Sequence, residues 1–438
     1  MIVADFAALI GVAFHLLSCV PAQQLPCRGQ GLVEITRAGV DEIVSCMSSR
    51  ANGAAPSRDG ALFVLVHRIK STSKAGHTIH DNGLELWRSN GDGSAWRRAA
   101  VAPVDQSRSG VLAPDGDLLS CLWSASEGRP FGNVYWQRFE PRTEQWIGSP
   151  MLLAEGRHTS DQFGVSDLVR TEGGALVAVF GNNADVRAPV WNCPWSTGMR
   201  WLGSGCGDQE WSPMVQVNVI PYGLCATAAA RGHLVDIVYR TNPGDAIHGL
   251  RTVDGRDGEF VQESEENAGQ EPAIGSWIQN QGVLCIDGTG GRTLLHVLAD
   301  YQSGAGRLVV SWSRPGQPVR TATIAEDPPL EAGNNTSFHF TLARGPGNQV
   351  FAYFAKVSEH FANLWQCLVE DGLPVGAGKC VAHGKPNDFF MQTGMHHGDA
   401  LTGMHVVTLG RPAAAPGGVV SAFGSWPART IWSAPSGR

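Results

Sequence analysis

Charge is scarce in this chain of 438 residues: Asp, Glu, Lys and Arg together make up 17 % of it. No run of Lys or Arg stands out and the formal net charge is −7, so no basic patch is present to attract a nucleic acid. Cysteines occur, but none in the C-x-x-C or Cys/His spacing of a zinc site, and the sequence indicates no cofactor, structural calcium included. The apolar stretch Phe6–Val20 is too short for a comfortable membrane span. No linker or low-complexity segment divides the chain, so the several domains its length would suggest are not expected.

That N-terminal stretch contains no Lys or Arg and leads into Val20-Pro21-Ala22, whose first and third residues resemble a signal-peptidase site before Gln23. Residues 1–22 are therefore expected to be a signal peptide, and 23–438 a single exported domain, secreted or periplasmic. Leu16-Leu17-Ser18-Cys19 also resembles a lipoprotein box, in which Cys19 would carry a lipid anchor. Cysteine spacing agrees with export. Cys193/Cys206 and Cys367/Cys380 are both thirteen residues apart and fall at the same place in a repeat, so each pair is expected to form a disulfide. Cys27 and Cys46 suit a tie for the N-terminal segment. Cys121, Cys225 and Cys285 are an odd number, which leaves at least one buried thiol.

What is plentiful is Gly (54) and Pro (25), beside an apolar content of 43 % that can fill a large core. The stretch from Asp59 to Val101 sets a pattern: an Asp-Gly turn, the run Leu62–Val66, a polar loop, the run Leu84–Ser89, and a turn at Asn90–Gly93. Short apolar runs bounded by Gly, Asn and Asp read as strands joined by hairpins. The first run recurs at Leu118, Leu176, Leu234, Leu294, Val350 and His405, a spacing of roughly 55 to 60 residues. Turns precede most copies, and second runs often carry Trp (Trp87, Trp136, Trp191, Trp312, Trp365). A hairpin pair cannot bury its own face alone, whereas seven such units side by side can. The expectation is all-β: a seven-bladed β-propeller of four-stranded antiparallel blades, beginning near Asp59, Asp115, Gly173, Gly232, Gly290, Gly347 and Gly403. A sandwich lacks so sustained a period. Gly31–Ala38 is expected to join the last blade as an outer strand and close the ring.

The loops divide between two faces. The tight turns Asn90–Gly93, Arg142–Gln145 and Asp254–Gly258 belong to one, and long loops rich in His, Asp, Asn, Arg, Tyr and Trp to the other. A crowded polar and aromatic face around a channel is where a site belongs. Arg68 and Arg240 each follow the first run of a blade; the ordinary reading is a surface salt bridge, the sharper one an anion clamp. Trp211 and Trp277 are candidates to stack on sugar faces, though core packing is the usual fate of Trp.

Ser89-Asn-Gly-Asp-Gly-Ser-Ala-Trp96 resembles the Asp-box hairpin of sialidase-type (BNR repeat) propellers, with Ser89, Gly93 and Trp96 in register and the Asp displaced by one, at Asp92. Thr252, Asp254 and Phe260 form a more degenerate copy. This resemblance implies an exported propeller acting on glycans, the motif itself being structural. Sialidases have six blades and an arginine motif near the first, neither of which is found here. Seven blades with His, Tyr and Arg at the channel mouth are similar to propeller-type polysaccharide lyases, which cleave uronic-acid glycans.

The expected function is thus cleavage of an acidic oligo- or polysaccharide, by hydrolysis or elimination; the competing reading is a non-catalytic glycan- or protein-binding propeller. For elimination, Arg240 would neutralise the uronate carboxylate and His80 or His158 would take the neighbouring proton, a histidine titrating near neutrality. Tyr239 or Tyr301 would protonate the leaving oxygen. For hydrolysis, Asp161 or Asp300 would be the acid. Successive residues of a strand face opposite ways, so Tyr239 and Arg240 share the channel only if the strand has ended there.

Overall fold

The computed structural model describes residues 33–37, 42–46, 54–74, 77–90, 95–126, 132–156, 162–183, 196–204, 210–217, 226–240, 248–261, 266–267, 276–278, 282–300, 306–326, 339–344, 348–357, 362–384, 404–410, 419–423 and 430–434. Among them the chain is all-β, arranged in seven sheets of four or five strands. The segment read as a signal peptide, with Cys19, lies outside the described residues.

Five hairpins share one device. Gly60, Gly116, Gly174, Gly232 and Gly290 sit in the turn between the first and second strands of a sheet, with φ between +64° and +92°, a region closed to most residues with a Cβ. The second strands leave these turns: Leu62–Lys74, Leu118–Ala125, Leu176–Asn183, Leu234–Arg240 and Arg292–Asp300, with Gln349–Val357 in the sixth sheet. Their apolar runs are buried on both faces because each sheet is covered by the next; the core clusters join residues of successive sheets, as where Phe63 and Leu65 pack with Trp123 and Phe139.

In the first six sheets the strands run outward in chain order; the second sheet, for example, comprises Ser107–Asp115, Leu118–Ala125, Asn133–Glu140 and Gln145–Ala154. The innermost strands touch in sequence. Ser107–Asp115 meets Gln162–Arg170, then follow Thr227–Arg231, Val283–Ile286 and His339–Arg344. Val419–Phe423 lies against both His339–Arg344 and Ala54–Pro56, which returns the series to its start.

The blade boundaries read from sequence are one strand late. The Asp-Gly turn lies inside a sheet, not between sheets, so the first sheet begins at Glu42–Cys46, which pairs with one half of Leu62–Lys74 while Ala54–Pro56 pairs with the other. The closing strand is where it was expected: Val33–Arg37 runs antiparallel to Thr430–Ala434. The seventh sheet departs from pure antiparallel order, because Met404–Gly410 is parallel to Thr430–Ala434 and Val419–Phe423 takes the inner place.

The sequence period reappears as hydrogen bonds between sheets. Arg58 to Asp117, Arg88 to Glu144, Arg292 to Asp236 and Leu284 N–H to Thr227 Oγ1 join residues 59, 56, 56 and 57 positions apart. Ser89 is part of this frame: its buried Oγ accepts from the Leu62 N–H at 2.9 Å.

The expected Cys367–Cys380 bridge is not formed. The two-residue turn at Asp371–Gly372 pairs Glu370 with Leu373 and Leu368 with Val375, so residues 376–378 lie across from Cys367 while Cys380 falls further along, opposite Trp365, and both remain thiols. Cys193, Cys206, Cys27 and Cys225 lie outside the described residues. Cys121 and Cys285 are buried thiols, the fate expected for at least one of their group.

Candidate functional site

In the first six sheets the second strand runs toward the far face, ending at Lys74, Ala125, Asn183, Arg240, Asp300 and Val357. Third strands start from that face and inner strands descend from it, so pair registers show which residues meet there. Arg240 is opposite His248. Asp300 is opposite Ser276, and Trp277 opposite Ala299. Gln162 is opposite Asn183. His80, opposite Ser71, belongs to the long hairpin of two 13-residue strands that extends the first sheet on the same side. Of the expected site residues, His80, Arg240, Asp300 and Trp277 therefore share one face by backbone placement. His158, Asp161 and Tyr301 lie outside the described residues.

Three expected residues have other occupations. Arg68 is a brace: its Nε and Nη2 donate to Glu85 at 3.1 Å each, Nη1 to Glu42 at 2.9 Å and Nη2 to Thr36 Oγ1 at 2.9 Å. Glu85 also accepts from Trp87 Nε1 and Arg98 Nη1, both at 2.9 Å. Burial pushes the Glu85 carboxyl up, but the donors around it outweigh burial and hold it below its ordinary value. The ordinary reading of Arg68 as an ion pair thus prevails over the anion clamp. Tyr239 is fully enclosed among Val177, Val179, Met199 and Val253 between the third and fourth sheets. Gly249 makes room for it, since a Cβ there would lie 2.6 Å from the ring. Strand Leu234–Arg240 continues past Tyr239, so alternation turns the phenol into the core. Trp211 is buried edge-on to Trp136, ring centroids 5.4 Å apart, and offers no face to a sugar.

Sequence reasoning assigned nothing to the glycine-turn face, yet a cavity of about 300 Å³ opens there between inner strands, with Arg170 and Arg344 in its wall. Both arginines close an inner strand, a position that composition and period leave unmarked. Among the described residues no group of three His, Cys, Asp or Glu is placed to hold a metal. Nor is any helix there long and apolar enough to cross a membrane.

No protein-family model and no curated protein matches this sequence. Among solved structures, the chain is similar to an ulvan lyase of polysaccharide lyase family PL25, with 11 % identity, 82 % of this chain and 88 % of that one covered, and a TM-score of 0.49. It is also similar to a GH93 α-L-arabinofuranosidase of Fusarium graminearum, at 11 % identity, 81 % and 98 % coverage and a TM-score of 0.46. A lectin from Aleuria aurantia follows at 10 % identity, 80 % and 97 % coverage and a TM-score of 0.42. Likeness of this degree leaves the reading of the site to the chain's own residues.

Proposed function

We propose that this chain is an exported seven-bladed β-propeller that cleaves acidic glycans at the face where its long loops gather. What supports the reading is that strand register sets His80, Arg240, His248, Asp300 and Trp277 at the same end of their sheets. The set combines a base, a cation for a carboxylate, an acid and an aromatic platform, the kinds of group such a cleavage requires.

For elimination, the Arg240 guanidinium pairs with the uronate carboxylate and lowers the cost of removing the adjacent ring proton. His80 or His158 takes that proton, the bond to the leaving oxygen breaks as the ring double bond forms, and Tyr301 protonates the departing oxygen. With Tyr239 enclosed, Tyr301 is the phenol left for that role. For hydrolysis, Arg240 holds the substrate acid while one of Asp300 and Asp161 protonates the leaving oxygen; water adds at the anomeric carbon as that bond breaks and gives its proton to the other carboxylate.

The test is turnover on a panel of uronate-bearing polysaccharides, followed by ultraviolet absorbance of unsaturated ends and by reducing ends. Arg240→Ala is expected to lower turnover at least about a hundredfold, the scale of a lost charged contact in the transition state, with the unfolding midpoint unchanged. Parent-like cleavage by the variant would move the site elsewhere. Binding of the panel by the parent without any cleavage would make the protein a binding module.

A further inference from the structure

The mouth on the glycine-turn side carries its own chemistry. The cavity there is walled by the ends of five inner strands, apolar at Ala113, Leu168, Ala228 and Leu342 and broken by Arg170 and Arg344. These arginines are the last residues of Gln162–Arg170 and His339–Arg344, in the third and sixth sheets.

Neither guanidinium is satisfied from within the described residues. Arg344 is exposed and enters no hydrogen bond or ion pair there. Arg170 lies 3.3 Å from Asp115 Oδ1, but out of line, so its buried Nε has no acceptor. The other Asp115 oxygen is taken by Arg138 Nε at 2.7 Å and Ser120 Oγ at 3.0 Å. One carboxylate thus faces two guanidinium groups. The same excess recurs next door, where Asp236 receives both Arg231 and Arg292. Each guanidinium holds five N–H donors in a planar fork, and a buried donor without an acceptor is costly. The cavity wall also includes Cys285, whose thiol burial pushes up to about 12, so any ligand here is held without covalent attack.

We propose that this cavity binds a small molecule through one oxyanion group, a carboxylate, sulfate or phosphate, clamped between Arg170 and Arg344. Planar forks match such oxygens two at a time, and the apolar wall lowers competition from water. A volume of about 300 Å³ suits a single sugar acid or a free inorganic anion. The site lies on the face opposite the proposed cleavage site and does not depend on that reading.

The experiment is isothermal titration of the whole chain with glucuronate, inorganic sulfate and inorganic phosphate in separate runs at low ionic strength. At least one is expected to bind at a single site, and the tightest identifies the group recognised. Arg344→Ala, at an exposed position, should weaken that binding about tenfold or more, the scale of one lost charged hydrogen bond. Arg344→Lys should recover only part of it, having the charge without the fork. Arg240→Ala should bind inorganic sulfate and phosphate as the parent does. No binding of any of the three, undiminished binding by Arg344→Ala, or loss of sulfate and phosphate binding in Arg240→Ala would overturn the proposal.

Discussion

His296 shows how far a side chain's surroundings can move its chemistry. It sits fully buried on the second strand of the fifth sheet, its Nε2 3.1 Å from Ser311 Oγ, which in turn is 3.4 Å from Thr321 Oγ1. Burial disfavours the imidazolium and lowers its pKa to about 4. The unfolded chain, titrating near its ordinary value of about 6.5, therefore binds a proton that the folded chain refuses. Stability from this group is intact above the unfolded value and is lost as pH falls toward the folded one. Between about pH 7.5 and about pH 5 the loss is expected to be about 2 kcal/mol. Urea unfolding of the parent and of His296→Gln at both pH values checks this: the variant's dependence should be shallower by that amount, and equal slopes would assign the titration to other groups.

At the scale of the element, the turns decide how sheets seat on one another. Asp371 and Gly372, with φ of +47° and +79°, form the two-residue hairpin between Ala362–Glu370 and Leu373–Gly384, the left-handed pair that matches strand twist. Gly372 is pressed against Trp312 of the fifth sheet, so an added Cβ would overlap that side chain. Gly376, with φ of +71°, has nothing within 4 Å of such a Cβ. Gly376→Ala is expected to cost about 1 kcal/mol through backbone strain. Gly372→Ala should cost about 2 kcal/mol or more, because displacement of Trp312 is added. Chemical denaturation of the two variants measures the difference, and equal costs would mean that the neighbouring sheet yields freely.

For the whole molecule the critical joint is the one between its two ends. Thr36 lies on the strand that pairs with Thr430–Ala434, and Arg68 holds Thr36, Glu42 and Glu85 in one grasp. A sheet edge left open there would expose unpaired backbone. Arg68→Ala strips the buried Glu85 of its main partner and is expected to destabilise the fold by about 3 kcal/mol. Arg98, which bonds the same carboxylate from an exposed position, should matter by less than about 1 kcal/mol on substitution by Ala. Unfolding midpoints of the two variants rank them, and a larger loss for Arg98→Ala would reverse this account of the closure.

The sequence by itself determined the all-β character, the period near 57 residues, the glycine turns and the closing role of the segment around Val33, because these follow from local backbone geometry and from alternation along the chain. It also sorted the loops into two faces, since a strand has only two ends. What each side chain does at those ends depends on neighbours from the next sheet, some 57 residues away, which the chain order does not reveal. Hence Tyr239 reads as an acid until the third sheet covers it; for Arg68 the choice between salt bridge and clamp waits on Glu42 and Glu85, which strand pairing within its own sheet sets beside it. The spacing of Cys367 and Cys380 suggested a bridge, but the two-residue turn at Asp371–Gly372 sets a register in which Cys380 faces Trp365 instead. Arg170 and Arg344 lie far apart in the chain, and only the convergence of inner strands brings two unsatisfied guanidinium groups to one cavity.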